Sequence, residues 1–315
     1  MMKPAFLLRR SRLAAFAAAV CLVLSLPAAA RGQEGAFERT LKVTGPVDLD
    51  VRSGSGQIRV EPGAAGTVRV SARLKAGNSW LAGGDVEARI RQIEKSPPIE
   101  QQGNAIRIGR FADEDLQRNI SISYEITVPA DTTLAAHTGS GSITVGALAG
   151  PADVRSGSGT IRVEGAASLE ASTGSGSIHA ASIAGPVKAT SGSGGISIAQ
   201  TGKGDVTVSA SSGGISLTGV NGAARVRSSS GGITIDGRPA GPWSLHASSG
   251  GINMTVPPDA AFDLDARTSS GTIDSVHPVT MEVMGKIDKR RIQGRVRGGG
   301  PLVEASCSSG SIRIR

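Results

Sequence analysis

The sequence predicts an all-β protein: a parallel β-solenoid (β-helix-like) of ~18-residue Ser-Gly-x-Ile rungs, with an N-terminal cap and insertion that contains a short helix. Three observations predict it. The motif Ser-Gly-x-Ile occurs ten times in 315 residues. From Ile143 to Ile273 successive motif isoleucines lie 18, 17, 18, 19, 18, 19 and 21 residues apart, and a fixed period of this size is the signature of a stacked repeat. Around each motif, apolar and polar residues alternate with a period of two, as in a strand with one buried face.

Taken in order, residues 1–30 read as a signal peptide. Lys3, Arg9, Arg10 and Arg12 precede an apolar run over 13–26, too short to span a bilayer comfortably, and Pro27 with Ala28-Ala29-Ala30 gives a small-residue cleavage pattern. Residues 31–130 read as an N-terminal rung, carrying Ile58, plus a capping insertion. Within the insertion Val86, Ile90 and Ile93 share one face of a helix over 85–95, stopped by Pro97-Pro98. A hairpin over 99–108 turns at Gly103-Asn104, and a strand follows over 120–128. Terminal repeats need a polar cap, so the insertion is expected to cover the first end of the stack. Residues 131–315 carry the remaining repeats, with a basic insertion at 276–300, and one continuous domain spans about 40–315. The final strand, 312–315, is expected to be an edge that Arg313 and Arg315 protect from pairing.

Within a rung, positions are counted from the motif isoleucine. Positions −9, −7 and −5 are apolar or small, as in Leu169, Ala171 and Thr173, and form one strand. The isoleucine and position +2, as in Ile196 and Ile198, form a second. The inward parity shifts between them, so the chain must turn at the glycine of position −2, which is expected to take φ > 0. The serine at −3 is expected to satisfy backbone groups of that corner. The isoleucines then become a buried ladder with a repeat of about 4.8 Å. A β-sandwich of regular hairpins is the alternative, but identical corners are better explained by stacking.

"RSGSGQIRV" (52–60), "TSGSGGISI" (190–198) and "ASSGGINM" (247–254) resemble the corners of the bacterial putative-adhesin families of unknown function, including the head-GIN domain family, whose Gly-Ile-Asn motif appears here as Gly251-Ile252-Asn253. The resemblance covers about residues 40–315 and implies an adhesin-like β-solenoid with a surface role. It supplies no catalytic residues.

Charge and chemistry point the same way. Net charge is +8, and removing residues 1–30 removes four cations and no acids, leaving +4. The stretch 286–297 carries net +5, so the rest of the mature chain is near −1 and nucleic-acid binding is not implied. Lys286, Lys289, Arg290 and Arg291 offer peripheral contact with an anionic surface; the alternative is a solvated loop. Aromatic residues are only 3 %, which disfavours an aromatic-lined pocket. His137 and His246 share position −6 but stand six rungs apart, roughly 29 Å. They cannot share a metal, and with His179 and His277 they read as exposed residues. The best carboxylate cluster is Asp263, Asp265 and Asp274, with Asp236 two repeats earlier. Such a pair would suit a polysaccharide lyase or hydrolase, and a solubilising role is the alternative. Cys307, at −5, reads as a small buried residue. The outward positions −6 and +1 form flat ladders of Ser, Thr, Arg and His. The expectation is a non-enzymatic exported cell-envelope module in the periplasm, on the cell surface or outside the cell, without cofactor or metal, whose partner is an envelope glycan or surface protein. The alternatives are a polysaccharide-active β-helix enzyme and a self-assembling envelope scaffold that polymerises through its last strand.

Overall fold

A computed structural model describes residues 34–77, 86–280 and 290–315. The signal-peptide reading of 1–30 lies outside these residues, as do Lys286 and Lys289. Residues 32–315 group as one compact unit.

Each rung contributes one strand to each of two parallel ladders. In the downstream ladder all ten motif isoleucines are in register: Ile58, Ile143, Ile161, Ile178, Ile196, Ile215, Ile233, Ile252, Ile312 and Ile273. None is more than 9 % exposed, and burying each contributes roughly 1.5–3 kcal/mol. The upstream ladder carries positions −9 to −5, with Leu49, Leu134, Ala152, Leu169, Val187, Val206, Ala224, Trp243, Val303 and Leu264 in register. The inward side chains of both ladders belong to one apolar core. One difference concerns the loose turns: Ile215–Ser228 runs through Gly219 to Gly222 as a single strand with shifts of register, Gly219 taking φ 72°.

The corners close differently from expectation. The serines at −3, such as Ser158, Ser193 and Ser230, are exposed. The hydroxyl at −5 does the work instead. Ser156 donates to Gly141 O at 2.9 Å, Thr173 to Gly159 O at 3.0 Å and Ser191 to Gly176 O at 2.9 Å, each reaching the −2 glycine of the preceding rung. Ser191 also accepts from Gly194 N–H in its own rung at 2.9 Å. Position −5 has the inward parity of −7 and −9, so its hydroxyl meets backbone groups that water cannot reach. Cys307 occupies the same column, buried, with its Sγ donating to Gly250 O at 2.8 Å, and burial pushes its thiol pKa up. Ser191→Ala should cost about 1–3 kcal/mol, because two corner groups lose their partner. Ala210 and Ala247 fill the same column, so the side-chain volume is tolerated. Urea unfolding checks this, and an unchanged midpoint would remove the hydroxyl from the corner.

The glycine at −2 is also needed for a different reason. Gly56 has φ 137° and Gly271 φ 159°, but Gly194 is not a positive-φ residue. A Cβ on Gly194 would lie 1.9 Å from Gly176 O and 2.3 Å from Gly176 C. Stacked corners approach too closely for any side chain.

Both ends are capped. Beyond the first rung the downstream ladder continues with Ile120–Pro129, parallel, and then Thr67–Ala76 and Glu34–Lys42, antiparallel. The upstream ladder continues with Ala105–Ile108 and Ile99–Gln102, the expected hairpin. Helix α1 (Val86–Lys95) buries Val86, Ile90 and Ile93. Its Glu94 carboxylate accepts Ala36 N–H at 2.8 Å, covering an amide of the outermost strand.

At the other end the chain does not stack in sequence order. Ile312–Ile314 pairs with Ile252–Thr255 on one side and Ile273–Ser275 on the other. It is therefore an interior strand and not the expected edge, with Ile312 and Ile314 buried and Arg313 and Arg315 directed outward. The rung at 262–275 is laid one place ahead. The basic stretch then returns as the strand Arg291–Val296, antiparallel to Phe262–Ser270, and the last rung fills the gap.

Candidate functional site

The outward surface of the upstream ladder holds a repeated arrangement of charged and hydroxyl groups. Residues at −8 and −6 lie on the same side of one strand, so side chains two apart can meet. Three rungs use this in one way. Asp50-Val51-Arg52, Asp153-Val154-Arg155 and Asp265-Ala266-Arg267 each fold the guanidinium back onto the aspartate. Arg52 Nε lies 3.1 Å from Asp50 Oδ1. Arg155 binds both oxygens of Asp153, at 3.0 and 2.9 Å. Arg267 likewise takes both oxygens of Asp265, with Nε at 2.9 Å and a second, short contact from Nη2. Neighbouring rungs extend these pairs. Arg110 joins Asp50, Lys188 and Arg155 share Glu170, and Arg291 lies 3.9 Å from Asp265.

The electrostatic consequences follow from these contacts. Arg267 beside Asp265 holds its carboxyl below the usual carboxylate range, against a smaller upward push from burial. At Asp50 burial pushes upward, and the hydrogen bonds from Arg110 and Arg52 together outweigh it. Lys188 lowers Glu170. His137 stands in register between Arg52 and Arg155 and is lowered, chiefly by desolvation.

A groove of about 510 Å³ runs across the start of five upstream strands. Pro151, Ser168 and Pro186, at successive rungs, line it together with Asp153, Glu170 and Lys188.

Of the remaining sequence candidates, Asp263 and Asp265 share one side of the strand Phe262–Ser270, while Asp274 and Asp236 lie on the downstream ladder. Asp265 sits on the upstream strand Phe262–Ser270 and Asp274 on the downstream strand Ile273–Ser275, with the Ser270-Gly271 corner between them. Asp274 accepts from Thr272 at 3.4 Å and faces Arg313 in register. Asp236 is exposed on the downstream ladder. A general acid must keep its proton near working pH, and Asp265 is shifted the wrong way for that role. The histidines also stay apart. His246 and His179 are exposed, and His246 Nδ1 lies 2.8 Å from Ser306 Oγ. His137 is half-buried and His277 buried, contrary to the exposed reading. Among the described residues no three His, Cys, Asp or Glu side chains gather as a metal site, and no helix is long and apolar enough to cross a membrane. The sequence reading missed the Asp-x-Arg pairs, although their three copies were present as a signal.

The depressed Asp265 pKa gives a pH prediction. Its contribution to stability is present above its ordinary value near 4 and is lost as pH falls through the lower folded value. Asp265→Asn should therefore destabilise by about 1 kcal/mol near pH 7, limited by the half-exposed arginine. The difference from the parent should shrink as pH falls below about 4. Denaturant titrations at several pH values check it, and a pH-independent difference would refute the ion-pair origin.

Two stacked parallel ladders, closed corners and an outward polar lattice define a β-solenoid-like repeat protein. The chain belongs to the Toastrack DUF4097 family, whose profile matches residues 48–315. Among solved structures it is similar to one described as a putative lipid binding protein from Parabacteroides distasonis, at 14 % identity and a TM-score of 0.50, covering 90 % of this chain and 98 % of that one. It is also similar to a putative adhesin from the same organism, at 12 % identity and a TM-score of 0.42, with 90 % and 98 % covered. A third is a putative cell adhesion protein from Clostridium sporogenes, at 11 % identity and a TM-score of 0.21, with 89 % and 98 % covered. The first of these likenesses shows the fold alone. No curated protein matches the chain.

Proposed function

We propose that the chain is a non-enzymatic, exported cell-envelope interaction module, adhesin-like in role, which holds an envelope glycan or a surface protein against the outward face of its upstream ladder. One observation carries the reading. In-register rungs fix the −8 and −6 side chains on a rigid, flat lattice of charges and hydroxyls, bordered by the groove over Pro151 and Pro186. A surface of that kind recognises a repeating polar partner without moving. The cationic pattern of residues 1–12 followed by the apolar run supports export. The placement of Asp265 and Asp274 on different ladders supports the non-enzymatic reading over the enzymatic alternative. Polymerisation through the last strand loses its free edge, since Ile312–Ile314 is paired on both sides.

The test is a glycan and envelope-fraction binding screen with the purified chain, run beside a reducing-end assay for polysaccharide cleavage. Retention on a glycan or envelope protein without cleavage is the expected result. Cleavage that disappears in Asp265→Asn or Asp274→Asn would establish an enzyme, and the absence of any retained partner would defeat the binding role.

A further inference from the structure

We infer that the Arg225–Arg227 pair is an open binding site for the carboxylates of an acidic polysaccharide. This rests on the interaction-module reading and names its ligand class. Four rungs carry arginine at −6 of the upstream ladder: Arg52, Arg155, Arg227 and Arg267. In three of them an aspartate at −8 folds the arginine back and neutralises it. In the fourth, position −8 is Arg225, so the pairing rule is reversed and two guanidinium groups stand side by side. Both are exposed, and neither makes an ion pair among the described residues.

The surroundings supply one carboxylate, that of Asp205, against two guanidinium groups. The flanking rungs place Thr207 and Ser209 on one side and Ser244 and His246 on the other. Asp205, diagonally adjacent, is directed to the backbone N–H of Ala223 at 3.0 Å. Glu304 lies two rungs from Arg225, as does Lys188 on the opposite side, which is already paired with Glu170. Two rungs is about 9.6 Å between backbones, about one screening length at physiological salt. Two arginines against one diagonal aspartate leave the patch net positive, and neither arginine is in an ion pair with Asp205.

The shape and neighbours of the patch choose among anions. Guanidinium forks bind carboxylates and phosphates bidentately, so the groups around the pair make the choice. The hydroxyls and the imidazole on both sides suit sugar hydroxyl groups. The outward positions around the pair hold no aromatic ring on which a nucleobase could stack, since Trp243 is buried inward. They hold no apolar side chain to enter a bilayer interface either. A flat, repeating strand lattice with one cationic anchor fits an extended uronate-bearing chain laid along the stack.

Calorimetric titration of the full chain with oligogalacturonate and with its methyl ester, at about 0.15 M salt, tests the inference. The acidic oligomer should bind and the neutral ester should not. Arg225→Asp installs the same Asp-x-Arg pair that three other rungs already hold, so it should fold normally and weaken binding at least tenfold. A melting temperature equal to the parent's separates loss of binding from loss of fold. Equal binding of the ester overturns the proposal, as does no binding of the acidic oligomer or affinity within twofold of the parent for Arg225→Asp. Tighter binding of duplex DNA or polyphosphate than of oligogalacturonate does so too. If these fail while the envelope screen still retains a partner, the acidic-ligand site falls and the interaction-module reading stands.

Discussion

Gly176→Ala is expected to lower the free energy of unfolding by about 3 kcal/mol, at the upper end of what overpacking usually costs. Alanine adds one methyl group, yet that methyl would lie 1.8 Å from Gly159 O and 2.4 Å from Gly159 C. Both are backbone atoms, so no rotamer change relieves the overlap. Gly159 O already accepts the Thr173 hydroxyl, and Gly176 O accepts that of Ser191. Shifting either corner therefore breaks bonds in two rungs. The other route is to widen the spacing at that step, which weakens the parallel pairing of Ile161 with Ile178. Because each rung contacts only its neighbours, the damage should separate the stack locally. Protease cleavage near 174–177 should appear before global unfolding. Ser193→Ala is the control: the side chain is exposed at −3 and should change stability by less than about 0.5 kcal/mol. If Gly176→Ala unfolds at the parent's urea midpoint, the corners are not stacked as described.

The parts of the fold that were legible in the sequence are those that repetition reports directly. Ten isoleucines with one local context had to share one environment, and they share one ladder. Helix α1 was legible because Val86, Ile90 and Ile93 recur at helical spacing. The order of the last rungs was hidden for the same reason that the rung was visible. Every copy has the same corner, so a rung fits equally well beside any other. The connections alone decide that Ile312 lies between Ile252 and Ile273. The corner chemistry was ambiguous because both −5 and −3 are rich in hydroxyls. Parity distinguishes them, since −5 falls in step with the buried −7 and −9. A conserved-looking glycine column likewise fits either a positive φ or a close approach, and only Cβ distances such as those at Gly194 separate the two. At the candidate site, the Asp-x-Arg pairs could be read from strand periodicity, and Arg225 becomes noticeable only once those pairs define what is normal.

The division of labour within a rung explains where function can vary. Positions −9, −7, −5, −2, 0 and +2 are constrained by packing or by corner contact. Positions −8, −6 and +1 face outward and carry none of these constraints. The outward columns accordingly change from Asp-x-Arg at 50–52 to Lys-x-Thr at 188–190 and Arg-x-Arg at 225–227, while the inward columns keep small or aliphatic residues. A stable lattice with freely exchanged outward side chains suits recognition better than catalysis, which needs several groups brought to one point.

Trp243→Ala should destabilise by about 3–5 kcal/mol, the range for truncating a large buried aromatic. Trp243 is the largest fully buried side chain among the described residues and is 1 % exposed. It occupies −9, a column that elsewhere holds Leu, Val or Ala. The fit depends on its neighbours: it stands in register between Ala224 and Val303, and the small Ala224 leaves room for the indole. The indole Nε1–H donates to Gly222 O at 3.0 Å, so the ring is fixed in orientation as well as buried. Truncation removes the apolar contact and leaves a cavity that the paired strands cannot collapse without losing register. Trp243→Phe separates the two contributions. It keeps most of the volume and gives up the hydrogen bond, so it should cost only about 1–2 kcal/mol. Ala224→Leu should be unfavourable beside Trp243 and less so in the Trp243→Ala background, because the added side chain then fills the vacated space. Circular dichroism during urea unfolding measures the parent and all four variants. If Ala224→Leu costs as much in the Trp243→Ala background as in the parent, the two side chains do not share one layer of the core, and the register that sets Ala224 beside Trp243 would lose its packing basis.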